Sequence, residues 1–281
     1  MKTILYATDY SENSVSALRL AYSLAKKFSA KLIVMHIFDM PLTLASTVTV
    51  SYLKKEKKLY VENRNKLKKF FDHHLDAVEM YIDLNFVAYE STSVSSCILE
   101  KAIEFNADLI CVGAKGASVL KELLLGSTAK TLLKKSPCAL LVVPTGGEKK
   151  EINKMIYATD FEQADIFAIK KLAKIAHQFD AQIRVVHITT RNEYDGEGQM
   201  EWFKETLKQK VDYAKMEFDL VFSEKVFDDL LWYLENTKAD LLAMLERKES
   251  TFYNKYFQSD MVKKMVENST VPLLSFNVGA L

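Results

Sequence analysis

Residues 4–10 read Ile4-Leu5-Tyr6-Ala7-Thr8-Asp9-Tyr10, and residues 155–161 repeat them as Met155-Ile156-Tyr157-Ala158-Thr159-Asp160-Phe161. The match continues at one constant offset, since Val34-Met35-His36-Ile37 returns as Val185-Val186-His187-Ile188. A repeat of nearly half of the 281 residues is too long for a solenoid unit but has the size of an ordinary domain. The sequence therefore predicts a tandem duplication of one domain.

The seam between the two copies is Pro144-Thr145-Gly146-Gly147-Glu148-Lys149-Lys150. It places two adjacent glycines and a run of charges between apolar segments, which is typical of a linker. We expect a first domain at residues 1–146 and a second at 151–281.

Each copy alternates between the periodicities of strands and helices. In the first copy, short runs rich in Ile, Val and Leu predict buried strands at 2–8, 31–38, 107–113 and 138–143, and an alternating run predicts an edge strand at 80–88. Helical spacing predicts helices after Ser11, an N-cap candidate, and at 51–75, 92–105 and 127–135. Strands that alternate with helices require a parallel sheet covered on both faces. The fold class is therefore α/β, with two tandem doubly wound domains.

The composition limits the classes of partner. With 49% hydrophobic and 27% charged residues the chain is neither disordered nor fibrous, and its net charge of +1 gives no global field toward nucleic acid or an anionic membrane. The N-terminus lacks the apolar run of a signal peptide, and no run approaches the roughly 20 apolar residues of a spanning helix. An odd number of cysteines without a CxxC pair predicts reduced core residues in a cytoplasmic protein: Cys97, Cys111 and Cys138.

The glycines of the chain are scarce, and three of the eight cluster in one motif. Gly113-Ala114-Lys115-Gly116 follows a strand, and nine residues later Gly126-Ser127-Thr128 opens a helix. A glycine turn at the carboxyl end of a strand permits positive φ and close approach of a ligand, and a helix N-terminus favours a phosphate. The alternative is that these glycines are only turn and cap residues.

Together with an aspartate at the end of the first strand, this motif resembles the universal stress protein family, in its tandem form and its ATP-binding branch. The resemblance runs along essentially the whole chain and is carried by five segments: Ala7-Thr8-Asp9-Tyr10-Ser11, His36-Ile37, Val112-Gly113-Ala114-Lys115-Gly116, Leu125-Gly126-Ser127 and Ser136-Pro137-Cys138-Ala139-Leu140-Leu141-Val142-Val143-Pro144. It implies a five-stranded parallel sheet of order 3-2-1-4-5 in each domain, with the first and fourth strands adjacent.

The resemblance also implies a site for Mg-ATP in the first domain. Ala7 and Asp9 would lie opposite the glycine loop, Asp9 would hold the ribose or a nearby Mg²⁺, and the main chain at Ile37 would contact adenine. The phosphates would lie against Gly113, Gly116, Gly126, Ser127 and Thr128. Two alternatives stay open: Asp9 as a cap carboxylate before Ser11, and Lys115 as a solvated loop lysine instead of a phosphate contact.

The second domain departs from the family pattern. Its loop reads Leu245-Glu246-Arg247-Lys248 where the first domain has glycines, and its helix opens at Ser259-Asp260. Side chains would fill the space of a triphosphate, and the carboxylate of Asp260 would repel it. We expect no nucleotide in the second domain, which would instead pair with the first in place of a dimer partner.

These features predict a nucleotide-sensing, partner-binding module of the stress response, with adenine nucleotide as ligand, an unidentified protein partner and a homodimer as a further option. The alternatives are a slow ATP hydrolase or phosphotransfer enzyme that uses the same site, and a nucleotide-free structural protein. No catalytic residue can be argued from spacing. A basic helix, whose cationic residues lie within 54–69, is most simply a solvated face.

Overall fold

The computed structural model describes residues 1–39, 50–75, 82–116, 125–149, 151–189, 196–246 and 261–280, with only the backbone described at 50–56. Ten strands are present: β1 Thr3–Ala7, β2 Lys31–Phe38, β3 Leu84–Glu90, β4 Leu109–Gly113, β5 Ala139–Val143, β6 Lys154–Ala158, β7 Gln182–Thr189, β8 Met216–Phe222, β9 Leu241–Glu246 and β10 Leu273–Asn277. The central strands are apolar and buried along almost their whole length, as expected for a sheet covered on both faces.

Eight α-helices connect the strands of the described chain: α1 Val15–Phe28, α2 Val50–His74, α3 Val94–Glu104, α4 Ser127–Lys135, α5 Gln163–Phe179, α6 Gly196–Lys210, α7 Val226–Thr237 and α8 Met261–Asn268. The described chain also contains two 3-10 turns, at Glu12–Ser14 and Val278–Ala280. None of the described helices combines the length and the apolarity needed to span a bilayer.

The strands form one sheet in the order β3-β2-β1-β4-β5-β10-β9-β6-β7-β8. Within each half all neighbouring strands are parallel, and the order is 3-2-1-4-5 when strands are counted from the start of that half. The predicted α/β fold class is therefore confirmed.

The halves meet through an antiparallel pairing of β5 with β10 that the sequence did not predict. Both strands are buried at every position, and β5 is entirely apolar, so without this pairing each would be an edge strand with unpaired backbone N–H and C=O groups. Pairing the two edges satisfies both ladders and makes one continuous ten-stranded sheet.

The helices divide into two layers. Helices α1, α2, α5 and α6 pack on one face, and α3, α4, α7 and α8 pack on the other. Helix α2 buries Leu67 and Phe71 and exposes Arg64, Lys68 and Lys69, so the described part of the basic helix has the solvated face that the sequence favoured.

Two local expectations differ from the structure. The edge strand begins at Leu84 and ends at Glu90, later than the alternating run 80–88 suggested. Helix α1 begins at Val15 after the 3-10 turn, and Ser11 makes no side-chain capping bond. The hydroxyl of Ser11 instead donates to Asp9 Oδ1 at 2.6 Å, which places it in the turn before the helix.

The three cysteines are free thiols, with Cys97 and Cys111 buried and Cys138 half-buried. Burial raises the pKa of Cys111 well above its ordinary value and raises the pKa of Cys138 to about 11. Both thiols are therefore protonated and unreactive at neutral pH, as expected of core residues.

Candidate functional site

A cavity of about 290 Å³ opens at the carboxyl ends of β1, β2 and β4. This edge is where open α/β sheets place their ligands. The cavity brings together all nine residues that the sequence singled out: Ala7, Asp9, Ile37, Gly113, Lys115, Gly116, Gly126, Ser127 and Thr128. Their roles toward a ligand stay predictions, but their convergence is a property of the fold.

Two of the three motif glycines, Gly113 and Gly116, are required by close packing. A Cβ on Gly113 would lie 2.8 Å from the carbonyl oxygen of Asn13, and a Cβ on Gly116 would lie 2.9 Å from Asp9 Oδ2. The positive φ that the sequence suggested is not found at the three motif glycines; among the described glycines it occurs at Gly146. The loop therefore presents main chain to the cavity because side chains do not fit there.

Helix α4 points its N-terminus at the cavity. Its N-cap Gly126 has an extended backbone, and its N–H donates to the carbonyl oxygen of Ala114 at 2.9 Å. The main-chain N–H of Gly126 is thus used in closing the loop, whereas Ser127 and Thr128 occupy the first helical turn, whose N–H groups have no intrahelical acceptor. These two residues and the dipole of the helix give this end of the cavity a positive potential.

The Asp9 carboxylate both accepts hydrogen bonds from Ser11 and lines the cavity. Its Oδ1 accepts bonds from the N–H of Ser11 at 3.0 Å and from the Ser11 hydroxyl at 2.6 Å. Its carboxylate also lines the cavity and is exposed there, with Oδ2 on the side of Gly116. The turn at Ser11 therefore orients the carboxylate toward the cavity.

A hydrogen-bonded layer beneath Asp9 was missed at the sequence level. Ser14 Oγ lies 2.8 Å from Thr8 Oγ1 and donates to the Ser11 carbonyl at 2.7 Å, and the Tyr6 hydroxyl donates to the Ser14 carbonyl at 2.9 Å. Burial raises the pKa of Tyr6 far above its ordinary value, so this hydroxyl stays a neutral donor. Thr8 and Ser14 both line the cavity.

The turn that carries Asp9 continues into a strained residue, Tyr10, with φ of 66°. Its N–H donates to Thr8 Oγ1 at 3.0 Å, and its ring packs against His36 with centroids 4.1 Å apart. His36 Nδ1 lies 2.8 Å from the Thr8 carbonyl oxygen, and burial lowers the pKa of His36. His36 is therefore a packed, neutral residue behind the site.

The cavity also has an apolar wall, of which the sequence singled out Ile37 but not the other members. It is formed by Ile37, Val94, Ile98, Val112 and Ala129. Val94 and Ile98 are one helical turn apart at the start of α3, so their spacing after the predicted strand was the signal that could have found them. Lys115 is half-buried in the loop and lines the polar side.

The second half has larger side chains at the positions where the first half has the glycine loop. By alignment of Ala107-Asp108-Leu109 with Ala239-Asp240-Leu241, Leu245 and Glu246 correspond to Gly113 and Ala114. Both are buried residues of β9, which continues through the position where β4 ends. The other predicted departures, Arg247, Lys248, Ser259 and Asp260, lie outside the described residues.

A further departure in the second half is Asp165, which corresponds to Ser14 at the offset of the repeat. It is fully buried and accepts bonds from the Tyr157 hydroxyl at 2.7 Å and the Thr159 hydroxyl at 2.8 Å, besides the N–H groups of Asp160 and Glu162. The constant offset could have revealed this change. It puts a buried carboxylate where the first half has a hydroxyl.

Comparison with known proteins gives consistent results for about half of the chain. A model described as the Universal stress protein family matches residues 1–144. A universal stress protein of Methanocaldococcus jannaschii is 30% identical over 142 residues, which are 50% of this chain and 81% of the relative. A universal stress protein of Bacillus subtilis is 32% identical over 146 residues, which are 50% of this chain and 97% of the relative.

Solved structures extend the likeness to both halves. The crystal structure of a universal stress protein from Archaeoglobus fulgidus superposes with a TM-score of 0.71 at 16% identity, covering 99% of this chain and 98% of that one. At this identity the match shows a shared fold, including the second half that the family model does not reach.

Proposed function

Since this chain belongs to the universal stress protein family, we propose that its first half binds one molecule of Mg-ATP and that its second half binds none. The observation that carries the proposal is the convergence of Asp9, the glycine loop and the N-terminus of α4 in one cavity. It combines amide donors, one carboxylate and an apolar wall, which suit the phosphates, the sugar or cation, and the base of a nucleotide.

The residues present fit such a ligand. The N-terminal turn of α4 at Ser127 and Thr128 would receive the phosphates, and the main chain of the glycine loop at Gly113 and Gly116 would lie beside them. Asp9 would accept a ribose hydroxyl or bind the Mg²⁺, which neutralises phosphate charge when bound.

In the part that the structure describes, the second half differs from the first at these positions. Leu245 occupies the position of Gly113, and the buried carboxylates of Glu246 and Asp165 add negative charge around the corresponding strand ends. Anionic phosphates placed near buried carboxylates are strongly disfavoured, because no solvent screens the repulsion. We propose that this half serves as the structural partner of the first, through the pairing of β5 with β10.

We propose a sensing and partner-binding role, and not rapid catalysis, on the basis of the groups in the cavity. Among its lining residues in the described chain, the ionisable side chains are Asp9 and Lys115. Asp9 is held by two bonds from Ser11, and efficient phosphoryl transfer needs a base or water-positioning group besides a cationic clamp. Nucleotide occupancy would instead alter the surface offered to a protein partner. The three free thiols fit a reducing compartment, so the proposal includes the cytoplasm.

The test is titration calorimetry of Mg-ATP into the full, nucleotide-stripped chain, with Asp9→Asn and Asp160→Asn as matched variants. We expect one site per chain, at least tenfold weaker binding in Asp9→Asn, and unchanged binding in Asp160→Asn. Two sites per chain, equal effects of the two variants, or no binding at millimolar nucleotide would contradict the proposal. Turnover measured on the same samples distinguishes the slow hydrolase, for which Asp9→Asn would abolish phosphate release.

A further inference from the structure

Helices α3 and α7 start at equivalent valines in equivalent turns. Ser93 N–H donates to Ser91 Oγ at 3.1 Å before Val94, and Lys225 N–H donates to Ser223 Oγ at 2.8 Å before Val226. The two side chains nevertheless differ in environment: Val94 is 41% exposed and lines the cavity, whereas Val226 is 6% exposed and belongs to the apolar core.

Two other apolar positions of this wall are equally buried in both halves. Ile37 and its counterpart Ile188 are both buried, as are Ile98 and its counterpart Leu230. The opening of the cavity in the first half thus leaves one apolar side chain of the wall, Val94, substantially uncovered. An apolar side chain that is uncovered inside a concave site is a surface for an apolar part of a ligand.

The place of Val94 in the fold indicates which part of a nucleotide this would be. Helix α3 packs on β2, at whose end Ile37 lies, while the phosphate-facing turn of α4 and the glycine loop follow β4. Strand β1, with Asp9 after it, lies between β2 and β4. Across the sheet edge, Ile37 and Val94 therefore lie on the side of β2, the carboxylate of Asp9 follows β1 in the middle, and the amide donors lie on the side of β4. This is the order of base, sugar and phosphates in a nucleotide.

We propose that Val94 contacts the nucleobase and covers one face of it, an inference that rests on the proposed function. The contact is a hydrophobic one and does not read the hydrogen-bonding edge of the base. Val94 therefore contributes affinity for the nucleoside part without selecting strongly among purines. Ile37 and Ile98 complete the wall from positions that are already buried.

The experiment compares the wild-type chain with Val94→Ser and with the matched variant Val226→Ser, titrating each with Mg-ATP and with magnesium tripolyphosphate. We expect Val94→Ser to weaken Mg-ATP about tenfold, in line with the loss of apolar contact in a ligand pocket. It should change tripolyphosphate binding by less than twofold and leave the melting temperature nearly unchanged. Val226→Ser should do the opposite: it should lower the melting temperature and keep the affinity for Mg-ATP.

Three outcomes would overturn the inference. Equal Mg-ATP affinity in Val94→Ser and wild type would show that no base covers this side chain. An equal loss for Mg-ATP and tripolyphosphate would show general damage to the site. Absence of Mg-ATP binding by the wild-type chain would remove the proposed function, and this inference with it, whereas the first two outcomes leave the proposed function intact.

Discussion

Asp9 and Gly116 are in contact across the mouth of the cavity, so that a Cβ on residue 116 would lie 2.9 Å from Asp9 Oδ2. The carboxylate cannot simply turn away, because its Oδ1 is held by the N–H and hydroxyl of Ser11. The turn after β1 and the loop after β4 therefore define the cavity together, and a change in one is transmitted to the other.

Gly116→Ala tests this contact. The added methyl group must displace the Asp9 carboxylate, so we expect at least tenfold weaker Mg-ATP binding and a fall in unfolding free energy of about 1 kcal/mol or less, since Asp9 is exposed. Gly279→Ala is the matched control, because Gly279 does not belong to the cavity lining and a Cβ there would have its nearest neighbour 3.6 Å away. Calorimetric titration of both variants checks the expectation, and equal affinities would contradict it.

Ser127→Asp tests the N-terminus of α4 as the phosphate end of the site. A carboxylate in the first turn stabilises a helix by about 0.3–1 kcal/mol, so the variant should unfold at the same or higher urea concentration. It should nevertheless lose most of its affinity for Mg-ATP, because the new charge faces the phosphates. Ser127→Asn has the same shape without the charge and should retain binding within a few fold. Loss of binding in both variants would point to shape instead of charge.

Asp165→Ala tests the buried carboxylate of the second half. Its removal leaves hydroxyl and N–H donors without an acceptor, so we expect a loss of about 3 kcal/mol of unfolding free energy. Asp228→Ala, which removes an exposed aspartate from the first turn of α7, should cost less than about 1 kcal/mol. Urea unfolding measures both, and Mg-ATP affinity should not change in either. Altered affinity in Asp165→Ala would contradict the independence of the two halves.

Most of the fold can be predicted from the repeat and from the periodicities of the sequence. Apolar runs such as 138–143 identify buried strands, because both faces of a doubly wound sheet are covered, and the strand order is implied once the family is recognised. The pairing of β5 with β10 was not accessible in this way. Periodicity shows that a strand is buried on two faces, but it does not show which strand continues the hydrogen-bond ladder at its edge.

The site was predictable where chemistry is concentrated in a motif. Asp9 and the glycine loop were identified because three of the eight glycines cluster in one motif, and because this motif together with an aspartate after the first strand resembles a family pattern. Val94 and Ser14 were missed, because each is an ordinary residue whose importance depends on what surrounds it. The counterpart of Val94 is also a valine, Val226, so residue type does not distinguish the two positions. They differ in exposure, because Val94 is exposed in the cavity wall and Val226 is buried in the core.

His36→Asn tests the pH dependence that the packing of His36 implies. Burial, with Lys66 nearby, lowers the pKa of His36 from its ordinary 6.5, while the Thr8 carbonyl and Asp9 oppose the shift. Below pH 6.5 the unfolded chain therefore takes up a proton that the folded chain does not, and stability attributable to His36 is lost as the pH falls toward its folded pKa. Asparagine can still donate to Thr8 and does not titrate. The melting temperature of wild type minus that of the variant should become smaller as the pH is lowered from 7 to 5. A difference that stays constant would contradict the assignment.

A chain cut to residues 1–146 tests the predicted domain boundary together with the role of β10. This segment retains β1 to β5 and the whole described lining of the cavity, but it leaves the apolar β5 unpaired along the ladder that Leu140, Leu141 and Val142 make with β10. An unpaired, fully apolar strand is the geometry that promotes association of two copies. We expect the segment to form a homodimer by light scattering, with two nucleotide sites per dimer, while the full chain binds one per chain. A monomeric segment that still binds Mg-ATP would show that the first half is complete without any partner on β5, and that β10 serves only to attach the second half.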